Sequence, residues 1–193
     1  MQFRQANSRP ATLNRGFSLI ELLIVVAIIL IIAAIAIPNL LRARIAANES
    51  SSVSSIRTVN TAEVTYQSAY PTVGYAALLV NLGPGAGVYT CPAGGPTSSA
   101  ACLIDGVLSN NGNPAGNGKS GYSFAAVGVK GAVGTLLTTY QVGSAPLNFN
   151  QTGVRRFCAN EDGVIHFDAN TGGSTTVDTG AGTCVAPTYV VLQ

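Results

Sequence analysis

Arg15-Gly16-Phe17-Ser18-Leu19-Ile20-Glu21-Leu22 opens a run that continues as LIVVAIILIIAAIAIP through residues 23–38. From Leu22 to Ile37 no residue carries a polar side chain. With Phe17–Ile20 before it and Asn39–Leu41 after it, the stretch reaches about 25 mostly apolar residues, where a hydrocarbon core about 30 Å thick needs roughly 20. Arg4, Arg9 and Arg15 precede the run, and Arg42 and Arg44 follow it. The denser basic cluster is expected to stay cytoplasmic, which sends the rest of the chain across the membrane into an oxidising compartment. An ordinary secretory signal has an apolar stretch of about 7–15 residues and small residues before its cut. This run is longer and has no such site.

Working outward, the chain has 193 residues, of which only 9% are charged. Soluble domains average about 25%. An apolar, weakly charged chain is not a disordered polymer, and a net charge of +2 is not that of a strongly basic nucleic-acid binder. The averages conceal a split. Of 22 glycines, only Gly16 lies before residue 71. Residues 1–16 carry +3, and the remainder carries seven basic and eight acidic residues. A helix-compatible N-terminal part is thus joined to a turn-rich C-terminal one.

Glu21 does not fit a plain anchor. A carboxylate at membrane depth costs roughly 2.5–3.5 kcal/mol on insertion scales, so such residues ordinarily have a partner. The segment offers no cation unless the chain is cut after Gly16, which creates an α-amine at Phe17, four residues before Glu21. Glycine, phenylalanine, a small hydroxyl residue, Leu-Ile-Glu-Leu, a long apolar run and Pro38 closely resemble the class III signal and N-terminal helix of type IV pilins and type II secretion pseudopilins. The resemblance covers residues 15–45. It implies cleavage between Gly16 and Phe17 by a prepilin peptidase and N-methylation of Phe17. Glu21 would pair with the Phe17 amine of a neighbouring subunit, and Pro38 would be the helix proline near which the helix is locally extended in filaments. Phe17, Glu21 and Pro38 are then the assembly residues. Leu30 departs from the pattern, standing where a glycine is common. The implied partners are further copies of the chain in a helical homopolymer, the inner membrane before assembly, the prepilin peptidase, and indirectly an assembly platform and its ATPase. The implied location is first a single-pass inner-membrane protein with a periplasmic head, then a fibre at the cell surface.

Residues 39–70 continue as helix. Val53, Ile56, Val59, Tyr66 and Tyr70 share an arc of about 140° at 100° per residue, interrupted by Asn60 and Glu63, and this stripe is expected to pack on a C-terminal sheet. Tyr70-Pro71 ends the helix, because a residue before proline is pushed from the α region. At 1.5 Å per residue, residues 17–70 would span about 80 Å. Residues 71–120 read as a long loop rich in Gly, Pro, Asn, Ser and Ala. Four cysteines allow three pairings. Cys91 with Cys102 and Cys158 with Cys184 is favoured, since each pair bounds one turn-rich stretch. Zinc is the rival use, but no C-x₂-C occurs.

Strand signals begin at Tyr122. Residues 122–127 and 136–142 alternate, 154–158 and 164–168 flank the Glu161-Asp162-Gly163 turn, and 188–192 could add an edge. The expectation is an α+β chain with the pilin fold: one long helix packed on an antiparallel sheet of three or four strands, with a disulfide-closed loop. The expected divisions are a leader at 1–16, a transmembrane and filament-core helix at 17–41, its amphipathic continuation at 42–70 and a head at 71–193.

Few residues could carry chemistry. His166 reads as a surface or rim side chain opposite Ile165 and Phe167. A Ser-His-Asp site needs a placed nucleophile, and nothing singles one out. Pseudopilins can bind calcium near the C-terminus, so Asp168, Asn170 and Asp178 are weak calcium candidates; an Asx turn is the competing account. No other cofactor is implied. Arg155 and Arg156 are too few for a nucleic-acid patch, and are expected to pair with Glu161 or Asp162 across the hairpin. The leading function is a structural subunit, a major pilin, of a type IV pilus-like filament, not an enzyme. The alternatives are a type II secretion pseudopilin, a non-polymerising membrane-anchored binding domain and an anchored periplasmic enzyme. Glu21 and the Gly16-Phe17 junction favour the filament, because a mere anchor needs neither.

Overall fold

The computed structural model describes residues 16–180, 182–185 and 187–192. The leader residues 1–15, including Arg4, Arg9 and Arg15, lie outside them. The chain divides into two compact units at Leu40 and Leu41.

Helix α1, Leu19–Ala69, runs through both. It starts where Ser18 stands just before the first helical residue and Glu21 three residues later, the spacing of a capping box. The Glu21 carboxylate accepts the Ser18 N–H at 2.9 Å, and the Ser18 carbonyl accepts the amides of Glu21 and Leu22. In the first unit the helix is apolar on every side, and every residue from Gly16 to Leu40 except Ala33 is exposed. Pro38 lies inside α1, which continues through it.

The second unit begins at Leu41. The part of α1 it contains buries Ile56, Val59, Ala62 and Tyr66 against a sheet. Val53 and Tyr70 pack at the margin. On the solvent side, the hydroxyls of Thr58, Thr61, Thr65 and Ser68 donate to the carbonyls four residues back. The helix closes at Ala69, with the Tyr70 amide still bonded to the Tyr66 carbonyl at 2.8 Å.

The sheet is an antiparallel meander in chain order: β1 Tyr122–Lys130, β2 Leu137–Pro146, β3 Arg156–Asn160, β4 Ile165–Asp168 and β5 Tyr189–Val191. It has five strands rather than three or four, because the C-terminal segment folds back and pairs with β4. Its helix-facing side forms the main core, with Tyr122, Phe124, Ala126, Tyr140, Val142 and Phe157. Residues 71–120 are not one open loop. They hold two single-turn helices, α2 Leu79–Leu82 and α3 Gly106–Ser109. Asp105 caps α3 by accepting the amides of Val107 and Leu108. Leu79, Leu82, Ile104 and Leu108 enter the same core as Ile56 and Val59, so apolar burial offsets the ordering entropy of this stretch.

On the other side of the sheet, Val177 and Asp178 lie against Gly143, and Thr183 accepts a hydrogen bond from Gln141. Cys158, Cys184 and Tyr189 form a small second core there. At Gly143 in β2, any Cβ would collide with the backbone of Asp178. Glycine therefore lets the C-terminal segment lie directly on the strand.

Candidate assembly site

The predicted processing and assembly residues lie at the start of α1. Gly16 and Phe17 precede the helix, and Phe17 is 75% exposed. Ser18 and Glu21 form the helix entry. The capping contact holds the Glu21 carboxylate back over residues 17–18, on the side where a new α-amine at Phe17 would appear. A carboxylate in the first helical turn also complements the positive end of the helix dipole. The S-x-x-E spacing that makes this cap is present in the sequence as Ser18 and Glu21. Behind it, Leu22 to Ile32 form an unbroken sleeve of exposed aliphatic side chains. Helix α1 is the one helix among the described residues that is long and apolar enough to cross a membrane.

The other sequence candidates lie in the second unit. Cys91 is bonded to Cys102, and Cys158 to Cys184. The first bond closes the stretch between α2 and α3, and the second ties β3 to the C-terminal segment. His166 is not a surface side chain. It is buried, with Nδ1 3.8 Å from the Cys184 sulfur, because strand alternation turns it towards the face that the C-terminal segment covers.

The arginines do not pair across the turn. Arg155 reaches α1: its Nε lies 2.8 Å and its Nη2 2.6 Å from Glu49 Oε2. Glu49 Oε1 also accepts the amides of Val154 and Arg155 at 3.1 Å each. Arg156 binds Asp168 across the β3–β4 register, and its Nη1 lies 2.7 Å from Asp178 Oδ2. Asp162 instead accepts the Val164 amide within its own turn. Strand register decides this, since it sets Arg156 opposite Asp168 and leaves the turn acids beyond the end of the strands.

The same network answers the calcium reading. Asp168 and Asp178 both face the Arg156 guanidinium, which stands where a shared cation would have to be. Asp178 Oδ2 also accepts the Tyr189 hydroxyl at 2.8 Å. Asn170 Oδ1 accepts the Ser174 amide at 2.7 Å, while its amide nitrogen donates to the carbonyls of Val154 and Ser174. These three residues act as a turn and a clamp, and the described residues contain no cluster of three metal-ligating side chains.

Two buried polar residues of α1 were legible only as interruptions of its stripe. Glu63 is fully buried; its Oε2 accepts the Ala76 amide at 2.8 Å and its Oε1 has no partner among the described residues. Burial pushes its pKa up to about 8, which the Ala76 hydrogen bond only partly opposes. Asn60 is also buried, with its side-chain oxygen unpartnered among the described residues.

The start of α1 is thus a capped, exposed apolar helix headed by Gly-Phe-Ser-Leu-Ile-Glu. The family described as the prokaryotic N-terminal methylation motif matches residues 12–37. Through this segment the chain is similar to type IV pilins. It is 47% identical over 53 residues to the type IV major pilin protein PilA of Myxococcus xanthus, covering 28% of this chain and 24% of that one. It is 67% identical over 36 residues to the type IV wide pilus major component PilA4 of Thermus thermophilus, covering 19% of this chain and 28% of that one. The match thus spans about a quarter of each relative's length. No solved structure matches the chain.

Proposed function

We propose that the chain is a structural subunit, a major pilin, of a type IV pilus-like filament. Residues 1–16 serve as a leader, removed by a prepilin peptidase between Gly16 and Phe17, and Phe17 is then N-methylated. Residues 17–41 hold the subunit in the membrane and later form the filament core, with residues 42–70 as the continuation of the helix and 71–193 as the head. The observation that carries this reading is the aliphatic sleeve of α1, exposed on all sides and interrupted by one carboxylate next to the cleavage junction. Lipid can cover such a sleeve before assembly, and neighbouring copies can cover it afterwards. The names of the two relatives, both major pilus components, support the same reading.

Glu21 has the central role. In a packed helical core an unpaired carboxylate is costly, whereas a carboxylate paired with an amine is tolerated. The pair of Glu21 with a neighbour's Phe17 amine fixes axial register more than it adds stability. The capping contact with Ser18 is the resting arrangement, and the neighbour's amine becomes the second partner on assembly. Pro38 lacks the amide that would bond the Ala34 carbonyl, which makes this turn the place where the helix can stretch without losing a full hydrogen bond.

The test compares sheared surface fibres and membrane-held subunit for wild type, Glu21→Ala and Glu21→Gln. Both variants are expected to insert, lose the leader and form their disulfides, yet give little fibre, with Glu21→Gln the milder. Normal fibre yield from both would refute the assembly role and favour a non-polymerising anchored domain.

A further inference from the structure

The head distributes its charge unevenly. Among the described residues, Glu49, Asp105, Asp168 and Asp178 all hold cations. Glu63 is buried. That leaves Glu161 and Asp162 as the exposed head acids without an ion-pair partner, and both sit at the β3–β4 turn. The exposed cations without an ion pair among the described head residues are Arg42, Arg44 and Arg57 on α1, and Lys130 at the end of β1.

Arg57 borders a groove of about 440 Å³ between α1 and the sheet, lined also by Ala46, Ser50, Val53, Arg155 and Leu192. Arg42 lies four residues before Ala46, on the same helix face one turn away. The groove contains one carboxylate, Glu49, whose charge is engaged by Arg155 and two backbone amides. Its uncompensated charge is therefore positive, and its floor is partly apolar.

Groove and turn are separate patches of the head, and Leu192, which lines the groove, donates its amide to Ile165 just after the turn. Glu49 binds Arg155 at the start of β3, and Ser52 bonds Ser144 at the late part of β2. Glu63 binds Ala76, whose neighbour Tyr75 donates to Leu137 at the start of β2. Since β2 and β3 are antiparallel, the turn after Asn160 belongs to the Glu63 end. The groove extends along α1 from Ala46 to Arg57, and six residues of helix, about 9 Å, separate Arg57 from the Glu63 level.

We propose that the β3–β4 turn of one copy docks in the α1–sheet groove of another, with Glu161 and Asp162 against Arg57. The partner is a second copy of this chain. Two different complementary patches on one module make a heterologous contact, which does not close in pairs and continues as a helical array. The shape of the turn suits the role. Gly163 adopts φ +72 and carries no side chain, and Val164 is 38% exposed beside the acids. Val164 can meet Val53 and Leu192 while the carboxylates meet the guanidinium. Charge complementarity of this kind fixes register and excludes wrong pairings more than it adds affinity.

This inference rests on the filament reading, and the test separates the two. Full-length subunits carry Arg57→Glu, or Glu161→Lys with Asp162→Asn, or all three. Asp162→Asn retains the acceptor for the Val164 amide. Fibre yield is read beside membrane subunit level and disulfide content, which report folding. Each one-sided reversal is expected to lower fibre yield at least about fivefold, the equivalent of about 1 kcal/mol at a repeated contact. The triple variant is expected to restore yield to within about twofold of wild type. Full yield from both one-sided variants would overturn the docking alone. So would a loss in Arg57→Glu that the compensating changes do not repair, since the groove would then serve another partner. Absence of fibres from wild type would overturn the filament reading and the docking together.

Discussion

Glu63 is held fully buried between α1 and the sheet, with Tyr66 and Tyr140 as titratable groups near it. Its folded pKa of about 8 stands above the ordinary value of 4.5. Between those values the folded chain holds a proton that the unfolded chain has released. Stability is therefore highest at or below about pH 4.5 as far as this group is concerned, and falls as pH rises towards 8. Glu63→Gln keeps the acceptor for Ala76 and cannot ionise. Thermal melts of the detergent-solubilised chain are expected to show wild type losing stability between pH 5 and 8 while Glu63→Gln loses less, so that the variant is the more stable one at pH 8. Parallel profiles for the two would show that Glu63 is not the titrating group. The sequence placed Glu63 on the core face of α1 but gave no sign of its partner, because the Ala76 amide comes from beyond the Pro71 turn. Glu49 was invisible for a related reason: its partners lie more than 100 residues along the chain.

At the scale of elements, β3 and the C-terminal segment are joined twice, by the Cys158–Cys184 bond and by the Arg156 clamp on Asp168 and Asp178. A cross-link separated by 26 residues constrains the unfolded chain by about 3 kcal/mol. Replacing both cysteines by serine is expected to lower the melting temperature by about 6–12 °C, measured by circular dichroism, with the sheet still formed because Arg156 keeps the segment in place. Arg156→Ala strands two half-buried carboxylates and is expected to cost about 3 kcal/mol in the disulfide-intact chain. A variant that melts like wild type in either case would remove that staple from the account. The helix and the first four strands were legible in the sequence, since a glycine-free run from 17 to 70 and period-two alternation are local signals. The fifth strand was only a possible edge. The folded part of residues 71–120 was not legible, because α2 and α3 are single turns that exist by packing on Ile56 and Val59. His166 was misplaced because alternation tells which face a residue occupies, and only the whole fold tells that both faces are covered.

The proposed maturation can be measured directly on the whole molecule. Removal of 16 residues from 193 leaves 177, and the intact mass of protein from sheared fibres is expected to be that of a chain starting at Phe17 with one added methyl and two disulfides. A start beyond residue 40 would refute the class III signal. At this scale the borders of the sheet also matter. Along β1 the outer border is taken up by the chain itself: Leu78 bridges Val127, and the Gly128 amide donates to the Ala77 carbonyl. At the other border β5 is three residues long. Free strand edges are templates for backbone zippering between molecules, and a fibre holds its subunits at very high local concentration. In the proposed fibre, a meander closed on one side and nearly absent on the other would leave neighbouring heads little backbone to share, so contact between them would fall to side chains, and a crowded lattice of heads could come apart again into intact single subunits.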